Sequence, residues 1–316
     1  MRLAILDDYQ KATLVSADWS AVVGDVDIQV FQDHIADEGG ISERLKDFEI
    51  ICAMRERTPF PRSLFERLPN LKLLVTSGMR NRGIDLGAAK DRGVTVCGTP
   101  STGEPTAELT WGLIVGLLRH IPEEDRATRL GHWQRTVGVG LAGKTLGVAG
   151  LGKLGSKVAR VGLAFDMDVI AWSQNLTEER CKKAGVSLVT KDELLSRSDV
   201  LTIHLLLSER TRGLFGAREL ALMKATSILV NTSRGPIINE AALVEVLQRK
   251  AIAGAGLDVF DTEPLPLDHP LRRLENTVIT PHLGYVEEEN YGAYCNGYVA
   301  AVRSYLDGKP SSVISA

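Results

Sequence analysis

A chain of 316 residues is long enough for about two domains, and 44% hydrophobic with 24% charged content excludes a disordered or fibrous protein. A formal net charge of −3, with its lysines and arginines dispersed, gives no electrostatic reason to expect nucleic acid or an anionic membrane as partner. Asp7 and Asp8 interrupt the N-terminal apolar stretch too early for a signal peptide, and the run Leu109–Leu118 is about half of the ~20 residues that span a bilayer. A soluble, cytoplasmic protein is therefore expected. Cys52, Cys97, Cys181 and Cys295 share no metal-ligand spacing, so free buried thiols and no metal are expected.

Short apolar runs alternate with helical patterns nearly throughout, which predicts an α/β protein with parallel sheets. Strands are expected over Leu3–Leu6, Ile28–Phe31, Ile50–Met54, Leu73–Thr76 and Val94–Cys97, with helical stretches such as Ser42–Lys46 and Ser63–Leu68 between them. Five such strands complete a small flavodoxin-like domain. The segment Thr106–Arg119 is apolar nearly all round, as in a helix buried between layers or at a domain junction. A second set of strands follows at Thr145–Ala149, Asp168–Trp172, Val200–His204, Ile228–Asn231, Gly256–Val259 and Val278–Thr280. The last thirty residues read as helical without a strand of their own, and are expected to pack back on the first domain. This predicts two doubly wound parallel-sheet domains with a cleft between them. The flavodoxin-like domain covers residues 1–103 plus 286–316, and a Rossmann domain covers 104–285.

The second set opens on Gly150-Leu151-Gly152-Lys153-Leu154-Gly155, a G-x-G-x-x-G pattern set between a strand and a helix-like segment. Gly150 permits the tight turn, Gly152 lets backbone approach a pyrophosphate, and Gly155 allows close packing of helix on strand. Leu154, Val158, Val161 and Phe165 are spaced to face a sheet, and the free N–H groups of that helix start suit the pyrophosphate. An acid usually ends the next strand, where it bonds the adenosine ribose and repels a 2′-phosphate. Here the chain reads Trp172-Ser173-Gln174-Asn175, with Arg180 the nearest arginine downstream. NAD is the expected cofactor, with NADP left open, and Ser173 and Gln174 are expected near the ribose.

Three reactive residues follow, each after a predicted strand. His282 in Thr-Pro-His-Leu-Gly suits proton delivery, since imidazole as a group titrates near neutral pH. Glu263 in Asp-Thr-Glu-Pro suits the other ring nitrogen, favouring the charged imidazolium. Arg234 in Asn-Thr-Ser-Arg-Gly-Pro presents a planar fork to a carboxylate and can polarise a ketone. Singly, each has a plain structural explanation. Together, beyond a nucleotide fingerprint, they are what hydride transfer to a 2-keto acid requires.

These motifs resemble those of the D-isomer-specific 2-hydroxyacid dehydrogenase family over nearly the whole chain. The likeness is carried by Gly78 with Gly83-Ile84-Asp85, Thr99-Pro100, Thr106-Ala107-Glu108-Leu109, Asn231-Thr232-Ser233-Arg234-Gly235, Gly256-Leu257-Asp258-Val259-Phe260 with Glu263-Pro264-Leu265-Pro266, and Thr280-Pro281-His282. The resemblance implies that Arg234 binds substrate, His282 is the acid/base and Glu263 tunes it. It further implies that Asp258 bonds the nicotinamide carboxamide and that Gly78 and Met79 amides hold the substrate carboxylate. Thr106, His204, Leu205, Thr232 and Ser233 fall in cofactor-lining segments. A homodimer formed largely through cofactor domains, and closure on substrate, are implied as well.

Departures from the family pattern bear on the substrate. The usual Gly-x-Gly-x-Asp loop is Gly78-Met79-Arg80-Asn81-Arg82 here, and Arg55 lies in another loop after a first-domain strand. Arg55 or Arg80 is expected to favour a second polar or anionic group on the substrate. Tyr285, in Gly284-Tyr285-Val286, is expected to line the pocket. The alternatives are a same-fold dehydrogenase of phosphite or formate, or a non-catalytic nucleotide-sensing protein. A short-chain dehydrogenase is rejected, since Gly308 and Pro310 break the Tyr305–Lys309 spacing that it needs on a helix.

Overall fold

The structure, a computed structural model, describes residues 1–102 and 105–315. The chain divides into two compact units, Met1–Gly103 with Val286–Ala316, and Glu104–Tyr285. Gly103 and Glu104, where a boundary is expected, lie outside the described residues.

The first unit is built on five parallel strands: β1 (Arg2–Ile5), β2 (Asp27–Val30), β3 (Ile50–Ala53), β4 (Leu73–Thr76) and β5 (Thr95–Gly98). Their order is β2-β1-β3-β4-β5, the flavodoxin-like arrangement. Strands covered on both faces need apolar residues at every position, which the runs Ile-Ile-Cys-Ala and Leu-Leu-Val-Thr supply. Alternate side chains divide between two cores. Ala4, Ile51, Leu74 and Val96 pack with Leu45, Leu64, Phe65 and Ala88. Leu3, Ile5, Cys52 and Val75 pack with Val22 and with Tyr298, Ala301 and Val302 from the final helix, Glu288–Leu306. The Tyr298 hydroxyl donates to the Ala53 carbonyl at 2.9 Å. The C-terminal helix thus completes a layer that the first hundred residues leave uncovered.

The last thirty residues hold one helix and no strand among the described residues, as expected, and add an isolated bridge near the end of the chain. Val313 forms an antiparallel bridge with Cys97, flanked by Gly98 N–H to Ser312 O (2.9 Å) and Ile314 N–H to Val96 O (2.8 Å). A single bridge leaves no alternation to read in the sequence, yet it protects the exposed edge of β5.

The second unit holds seven parallel strands: β6 (Thr145–Ala149), β7 (Asp168–Trp172), β8 (Ser187–Leu188), β9 (Val200–Ile203), β10 (Ile228–Asn231), β11 (Gly254–Leu257) and β12 (Thr277–Ile279). The order β12-β11-β10-β9-β6-β7-β8 is the Rossmann arrangement with one added strand, and it reverses between β6 and β9. β8 is two exposed residues and gives no apolar signal. β11 begins two residues before the expected Gly256, since a glycine carries no side chain to mark a strand in the sequence. Gly254 and Gly256 sit beneath Leu113 and Leu117 of the helix Pro105–Leu118, where a Cβ on Gly256 would lie 3.1 Å from Leu113 Cβ. That helix is buried along most of its surface, with Glu108 and Gly112 forming an exposed stripe.

Helix Lys153–Ala164 meets the sheet most closely through Gly155, Val158, Ala159 and Gly162. Of the four residues expected there, Val158 is fully buried, Leu154 and Val161 are half-buried against the same core, and only Phe165 is exposed. A Cβ on Gly162 would stand 2.5 Å from Leu146, so small residues set this close approach, and Phe165 is left 43% exposed against Trp111.

Candidate active site

In an open parallel sheet, ligands bind beyond the strand carboxyl ends at the point where strand order reverses. In the second unit this is the end of β6 and β9. Gly150 leaves β6 with φ +103°, a conformation that L side chains rarely adopt, and a Cβ there would meet the His204 carbonyl oxygen at 2.6 Å. Gly155 turns toward that same bend, its hypothetical Cβ only 2.0 Å from Gly150 O. Gly152, the N-cap of helix Lys153–Ala164, differs: a Cβ there meets nothing within 4 Å. The first N–H groups of that helix have no intrahelical acceptors. The Gly150 N–H donates to Trp172 O at 2.8 Å, tying the turn to the end of β7. Ser173 is half-buried there and Gln174 is exposed.

His204 follows β9. Its Nε2 lies 2.9 Å from the Thr202 hydroxyl, while Nδ1 is buried without a partner among the described residues. Burial pushes this imidazole down to about 4, so the ring is neutral at physiological pH.

Beyond β10, β11 and β12 the three reactive residues are held by a chain of contacts. Glu263 Oε1 accepts the Phe260 N–H at 2.9 Å, while Oε2 lies 2.6 Å from His282 Nδ1. His282 has φ +55° and is held by its N–H to Asp258 O (2.9 Å), so its backbone strain is fixed by the neighbouring loop. Asp258 is buried at the end of β11. One oxygen accepts from the Thr280 hydroxyl (2.6 Å) and Leu283 N–H (2.7 Å), the other from Gly284 N–H (2.8 Å). Burial raises its carboxyl above the usual range, against the lowering by those donors. Thr106 Oγ1 donates to Gly284 O at 2.7 Å, and the Tyr285 ring packs edge-on to His282, with centroids 5.4 Å apart.

Arg234 extends from the loop after β10, its Nη1 on Ser233 O at 2.7 Å and its own carbonyl accepting from Asn231 Nδ2 at 3.0 Å. A Cβ on Gly235 would lie 2.1 Å from the carbonyl carbon of Phe260. The arginine loop and the residue that anchors Glu263 are therefore in backbone contact. Thr232 and Ser233 have structural partners: Thr232 Oγ1 pairs with Thr110 Oγ1 (2.9 Å) and Ser233 Oγ donates to Ile203 O (2.7 Å).

In the first unit, Gly78 follows β4 with φ +82°. Its N–H donates to Thr99 Oγ1 at 3.0 Å, so that amide is engaged by the protein, leaving Met79 as the loop's candidate donor. Arg55 takes φ +51°, and its Nη1 would be 2.5 Å from a Cβ on Gly78. Arg80 is exposed. Asn81, to which the sequence gives no role, donates to Arg55 O (2.6 Å) and Thr76 Oγ1 (2.9 Å). Loop-to-loop bonds of this kind have no signature in sequence spacing.

Comparison with known proteins now decides the family. The profile described as D-isomer specific 2-hydroxyacid dehydrogenase, NAD binding domain, matches residues 111–284. The chain belongs to this family. A glyoxylate reductase from Aeropyrum pernix is 41% identical over 72% of this chain and 70% of its own length. A D-3-phosphoglycerate dehydrogenase from Bacillus subtilis is 38% identical over 83% of this chain, which spans half of that longer relative. A solved phosphoglycerate oxidoreductase from Vibrio cholerae o395 superposes with a TM-score of 0.92 at 36% identity, covering 98% of this chain and 99% of that one.

The protein is accordingly an NAD-binding oxidoreductase of the 2-hydroxyacid dehydrogenase family, and the two-sheet fold agrees with the arrangement that its motifs predict. The residues present fit the dinucleotide. Gly152 leaves open the space that a side chain would fill, and the unpartnered His204 Nδ1 lies at the same strand edge. Among the described residues no group of three or more His, Cys, Asp or Glu is arranged to hold a metal, and no helix is long and apolar enough to cross a membrane. All four cysteines are free and buried, and burial raises the thiols of Cys97 to about 11 and Cys295 to about 12. Arg180 is the residue whose place the sequence least foretold. It reaches back from helix Glu178–Ala184, and its Nη2 donates to Leu151 O within the fingerprint at 3.0 Å.

Proposed function

We propose that this protein reduces a small 2-keto acid to the D-2-hydroxy acid, with His282 as the proton donor. The observation that carries the reading is the 2.6 Å contact between His282 and Glu263, on loops that follow neighbouring parallel strands beyond a dinucleotide fingerprint. When bound, the reduced nicotinamide supplies the hydride that adds to C2. His282 holds a proton on Nε2 while Glu263 fixes Nδ1 and stabilises the imidazolium, and Nε2 delivers the proton to the oxygen that gains charge. Arg234 orients the substrate carboxylate and polarises the ketone through its planar fork. Asp258 holds the His282 loop, and the family resemblance adds a bond to the carboxamide. Gly150–Gly155, with Ser173, Gln174, His204 and Leu205, forms the dinucleotide site.

From the first unit, the Met79 amide and Arg55 are assigned to the substrate. An arginine packed against Gly78 favours substrates with a second polar or anionic group, such as hydroxypyruvate or a phosphorylated acid, over pyruvate. Glyoxylate, the substrate named for a relative, remains in the class. A homodimer is proposed as well. What supports it, beside the family resemblance, is that the second unit leaves the large apolar side chains Trp133 and Val137 78% and 93% exposed.

The test is the loss of 340 nm absorbance with NADH across a 2-keto acid panel, for the wild type and for His282→Ala. Turnover of one or two acids, reduced about 10²–10⁴-fold in kcat by the substitution with NADH binding kept, is the expected result. Near-normal turnover in the variant would remove His282 from the chemistry. Light scattering after gel filtration tests the dimer, which Val137→Glu is expected to weaken.

A further inference from the structure

The end of β7 is where a Rossmann site distinguishes NAD from NADP, because the adenosine ribose lies there. An acid at this position excludes the 2′-phosphate by repulsion. This chain has Ser173-Gln174-Asn175 instead, with no carboxylate among the three. The fingerprint turn is joined to this strand end by the Gly150 N–H on Trp172 O at 2.8 Å.

Arg180 approaches the same corner. It lies on the helix Glu178–Ala184, which begins just past the β7 loop, and its guanidinium spans back to Leu151 O at 3.0 Å. One N–H of the guanidinium is used in this way, out of five. Among the described residues no carboxylate lies within ion-pair distance of Arg180, and Glu178, on the same helix, is paired with Lys182 at 3.2 Å. The charge is thus held beside the fingerprint by a backbone carbonyl, not neutralised by an acid. A guanidinium fixed at the corner between the first and second strands of a dinucleotide fold, with the usual acid missing, has the chemistry to take a phosphate.

We propose that Arg180 is a cofactor-specificity residue that binds the 2′-phosphate of NADPH, so that the site accepts NADPH alongside NADH. The inference rests on the cofactor site of the proposed function but not on its chemistry.

The decisive experiment is calorimetric binding of adenosine 2′,5′-bisphosphate and of 5′-AMP to the full chain. Wild type is expected to bind the bisphosphate at least as tightly as AMP. Arg180→Ala is expected to weaken the bisphosphate about 10–100-fold, the worth of a charge-assisted hydrogen bond, while AMP changes less than about threefold. Arg180→Lys keeps the charge and is expected to recover part of the loss. A parallel fall in NADPH-driven kcat/KM, with the NADH value maintained, would support the assignment. Equal loss of both nucleotides in Arg180→Ala would overturn it and reduce Arg180 to a prop for the fingerprint turn. Wild type that binds AMP but rejects the bisphosphate would overturn it directly. Binding of neither nucleotide would remove the cofactor site itself, and this inference with it.

Discussion

Glu263 divides its carboxylate between two partners: Oε1 accepts the Phe260 N–H at 2.9 Å and Oε2 meets His282 Nδ1 at 2.6 Å. The first contact fixes the side chain, and the second transmits that position to the imidazole. Glu263→Gln keeps the shape and one acceptor oxygen but loses the charge that favours imidazolium. Its kcat for keto-acid reduction is expected to fall about 10–100-fold with KM little changed. Steady-state kinetics on both forms check this. Near-normal turnover in the variant would mean that the charge on Glu263 plays no part in the chemistry.

Two glycines of the second unit predict opposite outcomes. Gly235 faces the Phe260 backbone, where a Cβ would lie 2.1 Å from a carbonyl carbon, whereas the Cβ position of Gly152 is open. Gly235→Ala forces two loops apart and is expected to cost about 1–3 kcal/mol in denaturant unfolding, with activity reduced because Arg234 and Glu263 flank the contact. Gly152→Ala is expected to change stability by less than about 1 kcal/mol while weakening NADH at least tenfold. If Gly152→Ala bound NADH normally, the pyrophosphate would not lie against this turn.

What the sequence made legible follows from how local each signal is. The fingerprint, both sheets and the histidine loop rest on periodicity and short motifs, and β6, β7, β10 and β4 stand at their expected residues. Long-range side-chain bonds leave no such trace. Nothing in the spacing of Asn81 and Arg55, of Ser233 and Ile203, or of Arg180 and Leu151 announces that they pair. The helix Lys153–Ala164 shows the same limit: its large apolar residues mark the right face through Val158, Leu154 and Val161, but not Phe165, and the closest approach to the sheet is made by Gly155, Ala159 and Gly162, which carry no such signal.

Arg55 and Arg80 are equivalent candidates in the sequence and differ in the structure. Arg55 packs on Gly78 and is held by Asn81 and by its N–H on Ser77 Oγ (2.8 Å), whereas Arg80 is exposed. Arg55→Ala is therefore expected to raise KM about tenfold or more for a keto acid carrying a second anionic group, and less for pyruvate. Arg80→Ala is expected to change either value less than about threefold. Steady-state kinetics on both variants with matched acids reads the difference directly. A larger effect at Arg80 would reverse the assignment.

His204 couples the dinucleotide edge to acid stability. Burial holds its folded-state value near 4, below the ordinary histidine value of about 6.5. Above pH 6.5 the ring is neutral in both states and contributes nothing to the pH dependence. As pH falls toward 4 the unfolded chain takes up a proton that the folded ring refuses, so stability declines across this window, by about 2–3 kcal/mol at pH 4.5. His204→Gln retains an amide in reach of the Thr202 hydroxyl, which now lies 2.9 Å from Nε2, and has nothing to titrate. Urea unfolding at pH 7.5 and 4.5 is expected to show the variant losing less stability than wild type by that amount. Equal losses would mean that the imidazole is already solvated in the folded protein.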